Sequence, residues 1–425
     1  MNHSFESRFP QITIEDYQQY VGPQVIERVR AKIEKLQDIH ITNISSTYYG
    51  GGVAELLSSV TLLMNSSGIS TGWRILQGTT DFFGVTKKMH NALQGSSINL
   101  TDRKTNLYEE VIYENALRNH IRHDFVIVHD PQPLPIIRHY KKNGPWIWRC
   151  HLDLSIPNPK LWDYLRPFIE MYDAVIVSIP EYLQNLNTPQ FCFMPAIDPF
   201  TLKNRQLSEQ EIQERLNHYN IPTDLPLVVQ ISRFDKFKDP EGVIKAFEIA
   251  RKQVDATLVL LGAPATDDPE GAQLYEDILE CRSERIIIMG QDDTALVNAL
   301  QQKASVVLQK SIKEGFGLTV SEAMWKGTPV IGGDVGGIRY QIENGVNGYL
   351  VSSVNEAAMR IVEILKNPDL GHRLGKNARK TVQEKFLLIR LFEQYLDLFN
   401  SFETIYHTKS EVAFPKNPLD KKAND

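Results

Sequence analysis

The sequence predicts an α/β protein of two Rossmann-like domains that face each other across an interdomain cleft. Three observations carry this. Short apolar runs of strand length alternate with longer amphipathic runs, the order expected of parallel sheets covered by helices on both faces. The alternation occurs twice, interrupted between Pro195 and Pro226 by a proline-bracketed, charged stretch. Glycine-rich loops follow several of the strand-like runs, at the ends where a parallel sheet places its ligands. At 425 residues the chain has room for two or three domains.

Taken in order, Gln24 to Leu36 reads as an amphipathic helix with Val25, Val29, Ile33 and Leu36 on one face. Asp38 to Ser45 alternates like a strand, Gly50-Gly51-Gly52 forms a loop, and Ala54 to Met64 reads as a helix. The glycine spacing is not the dinucleotide Gly-x-Gly-x-x-Gly pattern, so a nicotinamide cofactor is not supported. Strand-like runs follow at Gly72 to Gln77, Phe125 to His129, Trp146 to His151, Ala174 to Ser178 and Gln190 to Met194, with helical ones at Leu107 to Asn119 and Lys160 to Met171. Two polar clusters, His129-Asp130-Pro131-Gln132-Pro133 and Arg149-Cys150-His151-Leu152-Asp153, stand at strand ends that should face one crevice.

After the charged helix Ser208 to Tyr219, the second series runs through strands at Leu227 to Ile231, Ala256 to Leu261, Arg285 to Met289, Ala304 to Leu308, Pro329 to Gly332 and Gly348 to Val351. Helices are expected at Pro240 to Lys252 and Leu318 to Lys326, and a long helical tail from Ala357 to about Phe402. The division expected is 1–200, 201–385, a helix at 386–405 returning to brace the first domain, and a polar, disordered tail at 410–425.

Composition narrows the function classes. With 42% hydrophobic and 23% charged residues and a net charge of −6, the chain is an ordinary globular one and a poor match for nucleic acid or an anionic membrane. The three cysteines, Cys150, Cys192 and Cys281, are widely spaced and form no metal-type pair, which fits a reducing compartment. The N-terminus lacks a signal-like apolar region, so a soluble cytoplasmic protein is expected, and a homodimer is compatible with it.

The chemistry concentrates in Gln309 to Glu322, a strand–loop–helix segment containing Glu314-Gly315-Phe316-Gly317. Backbone N–H groups at Phe316 to Thr319 should be unpaired at the helix start, and the helix dipole adds positive potential suited to a diphosphate. Glu314 and Glu322 flank that place; carboxylates repel phosphate but accept hydrogen bonds from neighbouring hydroxyls, as in a sugar or a ribose diol. An ordinary turn with Glu322 solvated on the helix is the alternative at this point. Arg233 and Lys238 share the loop after the Leu227 strand, from which both can reach a diphosphate. No Asp-x-Asp sequence occurs in the chain, consistent with no obligatory metal, and a two-carboxylate glycosidase would leave this phosphate apparatus without a use.

Glu314-(seven residues)-Glu322 around Gly-Phe-Gly, with the Arg233…Lys238 pair, resembles the signature of retaining GT-B glycosyltransferases over roughly Asp38 to Phe399. Finer features point further: Gly51-Gly52-Val53-Ala54-Glu55, Gly72-Trp73-Arg74, His90-Asn91-Ala92-Leu93-Gln94-Gly95, His129 to Pro133, Trp148 to Asp153 and Leu308-Gln309-Lys310-Ser311. Together these resemble the trehalose-forming glycosyltransferases and their relatives, the retaining trehalose phosphorylases. The resemblance implies a GT-B fold, with 1–200 as the acceptor domain and 201–385 as the nucleotide-sugar donor domain. It implies catalytic roles for His151, Arg233, Lys238 and Glu314. Donor contacts would come from Gly51, Gly52, Arg233, Lys238, Glu314, Gly315, Phe316, Gly317, Leu318, Thr319 and Glu322, and acceptor contacts from Gly50, Asp130, His151 and Asp153.

The reaction implied moves glucose from an NDP-glucose (UDP, ADP or GDP) to free glucose, forming or reversibly cleaving α,α-trehalose, with Mg²⁺ at most a stimulant. A phosphorylase using glucose 1-phosphate, a transferase with another sugar acceptor, and a non-catalytic nucleotide-sugar sensor are the other readings. The departures from the resemblance are Lys236-Phe237 ahead of Lys238 and Tyr48-Tyr49 ahead of the first glycine loop, and they leave the nucleotide base open.

Overall fold

Two six-stranded, wholly parallel sheets organise the chain, whose computed structural model describes residues 12–47, 51–262 and 269–413. The first contains β1 (His40–Ser45), β2 (Ser70–Ile75), β3 (Phe125–His129), β4 (Trp146–Arg149), β5 (Ala174–Val177) and β6 (Gln190–Cys192), in spatial order β2-β1-β3-β4-β5-β6. The second contains β7 (Leu227–Ile231), β8 (Thr257–Gly262), β9 (Ile286–Gly290), β10 (Val306–Gln309), β11 (Val330–Gly333) and β12 (Tyr349–Val351), in the order β12-β11-β10-β7-β8-β9. Both sheets are covered on both faces, so β3 (Phe-Val-Ile-Val-His) and β7 (Leu-Val-Val-Gln-Ile) are continuous buried runs.

Each order reverses once. In the first sheet the chain leaves β1 for β2 and then returns to β3 on the other side; in the second it leaves β7 for β8 and β9 and returns to β10. A crevice opens at the carboxyl ends of the two strands that flank such a reversal. The segments there are Ser46-Thr47 after β1, the His129-Asp130 turn, the Ser232–Lys238 loop and the Lys310–Gly317 loop.

The expected strands are present, shifted by up to two residues at their ends. The Thr80–Leu93 helix, capped by Thr79 Oγ1 accepting from Phe82 N at 3.3 Å, had no expected counterpart, because Gly84 and the two threonines Thr80 and Thr86 interrupt its apolar pattern. The tail departs from expectation too. Instead of one helix from Ala357 there are three: Val354–Lys366, Pro368–Lys385 and Leu388–Ala413. Asn367 ends the first and caps the second, accepting from Leu370 N at 3.1 Å ahead of Pro368, which cannot continue a helix but can start one. The last helix runs to Ala413, beyond the expected end at 405 and into the tail expected to be disordered from 410; the rest of that tail lies outside the described residues.

That last helix lies against the first sheet's side of the molecule. Phe399 is fully buried and its ring centroid is 4.7 Å from that of Phe125 on β3. Glu393 and Asp397 pair with Lys32 of the Pro23–Ile33 helix at 2.8 and 2.6 Å, and Glu393 also pairs with Arg28 at 2.5 Å. One apolar cluster runs from Ile127 and Ile176 through Leu388, Phe392 and Phe399 to Val229 and Val320, so the two halves share a core. Among the described residues no helix is long and apolar enough to cross a membrane. Truncating Phe399 to alanine should lower unfolding stability by about 3–5 kcal/mol, the range for a buried aromatic. A urea melt should show the loss as a lower midpoint at unchanged slope.

Candidate active site

The two crevices face each other, and backbone without side chains lines the contact. A Cβ built on Gly315 would lie 2.5 Å from the carbonyl oxygen of His151, so only glycine allows this approach. A Cβ on Gly52 would meet Leu318 at 2.7 Å. Gly51 and Gly52 are the first residues of the Gly51–Ser66 helix and Leu318 opens the Leu318–Trp325 helix, so two helix starts oppose each other across the cleft. Gly317 caps the second with φ +85° and no side chain, leaving its first-turn amides without a side-chain acceptor. Phe316 is buried against Phe386, while Leu318 and Thr319 stay partly accessible. Gly50 lies outside the described residues.

Glu314 is held from within its own half. Lys238 Nζ contacts its Oε2 at 2.5 Å and Ser311 Oγ donates to the same oxygen at 3.2 Å. Gln230 on β7 fixes the Lys238 loop by donating to the Lys238 carbonyl at 2.8 Å, and Asp239 closes it in the left-handed conformation (φ +51°) as the cap of the Pro240–Ala250 helix. Lys310 pairs with Asp239 in turn. Arg233 is exposed at the start of this loop, so the structure joins Lys238 to the glycine loop and leaves Arg233 facing solvent. From the other half, the Tyr182 hydroxyl reaches the carbonyls of Glu314 at 2.8 Å and Gly315 at 3.0 Å.

Glu322 differs from the expected open carboxylate. It is 2% exposed and paired: Lys203 Nζ lies 3.1 Å from Oε1, and Gln301 Nε2 donates to Oε2 at 3.3 Å. Burial alone would raise its pKa, but Lys203 and Lys326 outweigh burial and hold it below the usual carboxylate value. Lys203 also reaches Glu55 on the opposing Gly51–Ser66 helix at 2.9 Å, so one lysine bridges the two halves at this carboxylate. The reason is packing: the helix begins at Leu318, which turns Glu322 inward rather than to its solvated face.

In the first half, His129 and His151 meet at the ends of neighbouring strands. His129 Nδ1 is 3.1 Å from His151 Nε2, and His129 Nε2 is 3.0 Å from Asn43 Oδ1 on β1. Burial pushes both imidazole pKa values well down, and the Arg149 guanidinium adds to this, so both rings are neutral. Arg149 is itself 1% exposed and donates to the Tyr395 hydroxyl of the last helix. Asp130, at φ +62°, accepts from the His151 backbone N–H at 2.8 Å through Oδ1, which leaves Oδ2 for other partners. Asp153 is turned onto Ser155, accepting from its N at 2.8 Å and its Oγ at 2.6 Å.

Sequence reading singled out His151, Lys238, Glu314 and the glycines, and these converge. It did not single out Lys203, Tyr182 or Asn43, and named His129 only as part of its polar cluster, with no role of its own. Asn43, a buried carboxamide on β1 (His-Ile-Thr-Asn-Ile-Ser), shows its role only through its burial and its partner. Lys203 and Tyr182 carried no signal in the sequence, since each acts through residues distant in the chain.

Burial pushes the Asp130 carboxyl up to about 7, although the His151 N–H and Arg149 oppose it. A carboxyl raised in the folded state keeps its proton between its unfolded value near 3.8 and about 7, so folding is favoured at the acid end and the gain disappears as pH rises through that window. The melting temperature of the wild type minus that of Asp130→Asn should therefore fall steadily from pH 4 to 7 and be flat above. Scanning calorimetry across that range checks it.

Family models match both halves: trehalose synthase, N-terminal domain, over residues 43–184, and glycosyl transferases group 1 over residues 211–381. A trehalose synthase of Thermococcus litoralis is 42% identical over 399 residues, covering 92% of this chain and 97% of its own. A trehalose phosphorylase of Grifola frondosa is 27% identical over 88% of this chain and 58% of its own. A sucrose-phosphate synthase of Thermosynechococcus elongatus superposes with a TM-score of 0.68 at 20% identity, over 86% of this chain and all of that one, and shares the GT-B fold.

Proposed function

The chain belongs to the trehalose synthase family of glycosyltransferases, and we propose that it transfers glucose from an NDP-glucose to free glucose with retention, forming α,α-trehalose. The observation that carries this is the meeting of the Lys238–Glu314–Gly315 constellation with the His151 carbonyl across the cleft. Domain 201–385 holds the donor and domain 1–200 the acceptor. UDP, ADP or GDP can be the leaving group in this reading, with no obligatory metal.

In this reading the bond from the anomeric carbon to the diphosphate breaks and negative charge grows on the departing phosphate. Lys238 has donors beyond the one facing Glu314, and the uncapped amides after Gly317 point the same way; both interactions strengthen as charge develops. Arg233 joins them when its exposed side chain folds onto a bound diphosphate. The acceptor hydroxyl attacks on the face the leaving group vacates, and its proton passes to a phosphate oxygen. Glu314, anchored through Oε2, offers Oε1 to a donor-sugar hydroxyl, and Asp130 offers Oδ2 to the acceptor. The close backbone contacts exclude water, which would otherwise hydrolyse the donor.

Glu322 is the ribose contact in this reading, and a diol there replaces Lys203 or Gln301 as its partner. Glu322→Gln should weaken NDP-glucose by about 1.5–3 kcal/mol, or roughly 10- to 150-fold, the range for hydrogen bonds to a charged group. Glucose 1-phosphate, lacking a ribose, should bind almost as before. Equal losses for both ligands in calorimetry would remove the ribose role.

The deciding measurement is NMR of the product formed from NDP-glucose and carbon-labelled glucose, in the presence of EDTA. Labelled α,α-trehalose with release of NDP is the expected result. A β linkage, transfer to a different sugar only, or trehalose formed from glucose 1-phosphate alone would refute this assignment.

A further inference from the structure

The Asn43–His129–His151 chain fixes where the hydrogens are. Asn43 Oδ1 can only accept, so His129 Nε2, 3.0 Å away, carries a hydrogen. A neutral imidazole has one N–H, so His129 Nδ1 is a lone pair, and the hydrogen on the 3.1 Å contact must come from His151 Nε2. The remaining ring nitrogen of His151, Nδ1, is then a lone pair as well. Asn43 and His129 are at most 2% exposed, so water does not compete for the contacts that join them to each other and to His151. The charged groups around them are Arg149 on β4 and the Asp130 carboxyl, which is bonded to the His151 backbone rather than to its ring.

We propose that His129 and Asn43 are positioning residues that hold His151 as its Nε2–H tautomer, so that Nδ1 accepts a hydrogen bond from a hydroxyl of the bound sugar. This rests on the reading above that His151 faces the donor sugar. A free histidine exchanges tautomers; a hydrogen-bonded chain ending on a carboxamide oxygen has one direction. The consequence is chemical: His151 recognises a hydroxyl that gives a hydrogen, and it needs no rearrangement as the sugar enters.

The test begins with the full chain labelled with nitrogen-15 at histidine. Long-range proton–nitrogen correlation at pH 7.5, assigned against His129→Asn and His151→Asn, should show both rings neutral with hydrogen on Nε2. Hydrogen on Nδ1 of His151, or a charged ring, would overturn the proposal. Kinetics supplies a second readout. Asparagine places its carboxamide oxygen near the site of the histidine Nδ1, whereas leucine leaves the His151 N–H unpaired. The kcat/KM for the donor should stay within about threefold in His129→Asn and fall at least about tenfold in His129→Leu, with the His151 tautomer kept in the first variant and lost in the second. Equal losses in the two variants would also overturn it. If His129→Leu does not fold, the wild-type spectrum alone decides. The spectrum needs no substrate, so the expected tautomer in a protein that makes no trehalose would sink the trehalose reading and still support this one.

Discussion

Two strands of chain cross between the halves, and they are bonded to each other. Ile197 donates to the Phe386 carbonyl at 2.9 Å and accepts from Leu388 at 2.8 Å, so the outgoing and returning segments form one short parallel bridge. Their backbone groups are thereby satisfied where both segments are buried. Everything across the cleft depends on this seam. It carries the final helix back onto β3, sets Phe316 against Phe386, and so sets the glycine loop at the distance where Gly315 touches His151.

The buried charges of the cleft follow a common logic. Removing an ion from water costs several kcal/mol unless partners replace the hydration. Each buried charge here has such partners: Glu314 has Lys238 and Ser311, Glu322 has Lys203 and Gln301, and Arg149 has Tyr395 and the Phe193 carbonyl. Apolar residues would stabilise the fold as well or better. What the charges supply instead is a set of oriented donors and acceptors, already desolvated, lining the cleft.

Much of the fold was legible in the chain because parallel strands buried on both faces have a plain signature. Phe125–His129 and Leu227–Ile231 are continuous apolar runs and lie where they were read. Boundaries failed where a local device intervened. The Asn367-Pro368 cap divides the tail into separate helices, and the Leu387 bridge divides it again. The Thr80–Leu93 helix escaped because its composition is poor in strong helix formers and it is held by packing of Phe82, Met89 and Leu93.

Residue types and local spacing by themselves determined the two α/β halves, the placing of the glycine loops after strands, and the candidate status of Lys238, Glu314 and His151. These depend on neighbours within one turn or one strand, which the order of residues records directly. Tertiary structure decided what each group touches. It buried Glu322 under Lys203 and tied that lysine to Glu55, turned Asp130 to the His151 backbone, and aligned Asn43, His129 and His151 from three adjacent strands. Such contacts join residues as far as 148 positions apart, and the Asn43–His129–His151 set exists only because parallel pairing brings β1, β3 and β4 side by side with their carboxyl ends level.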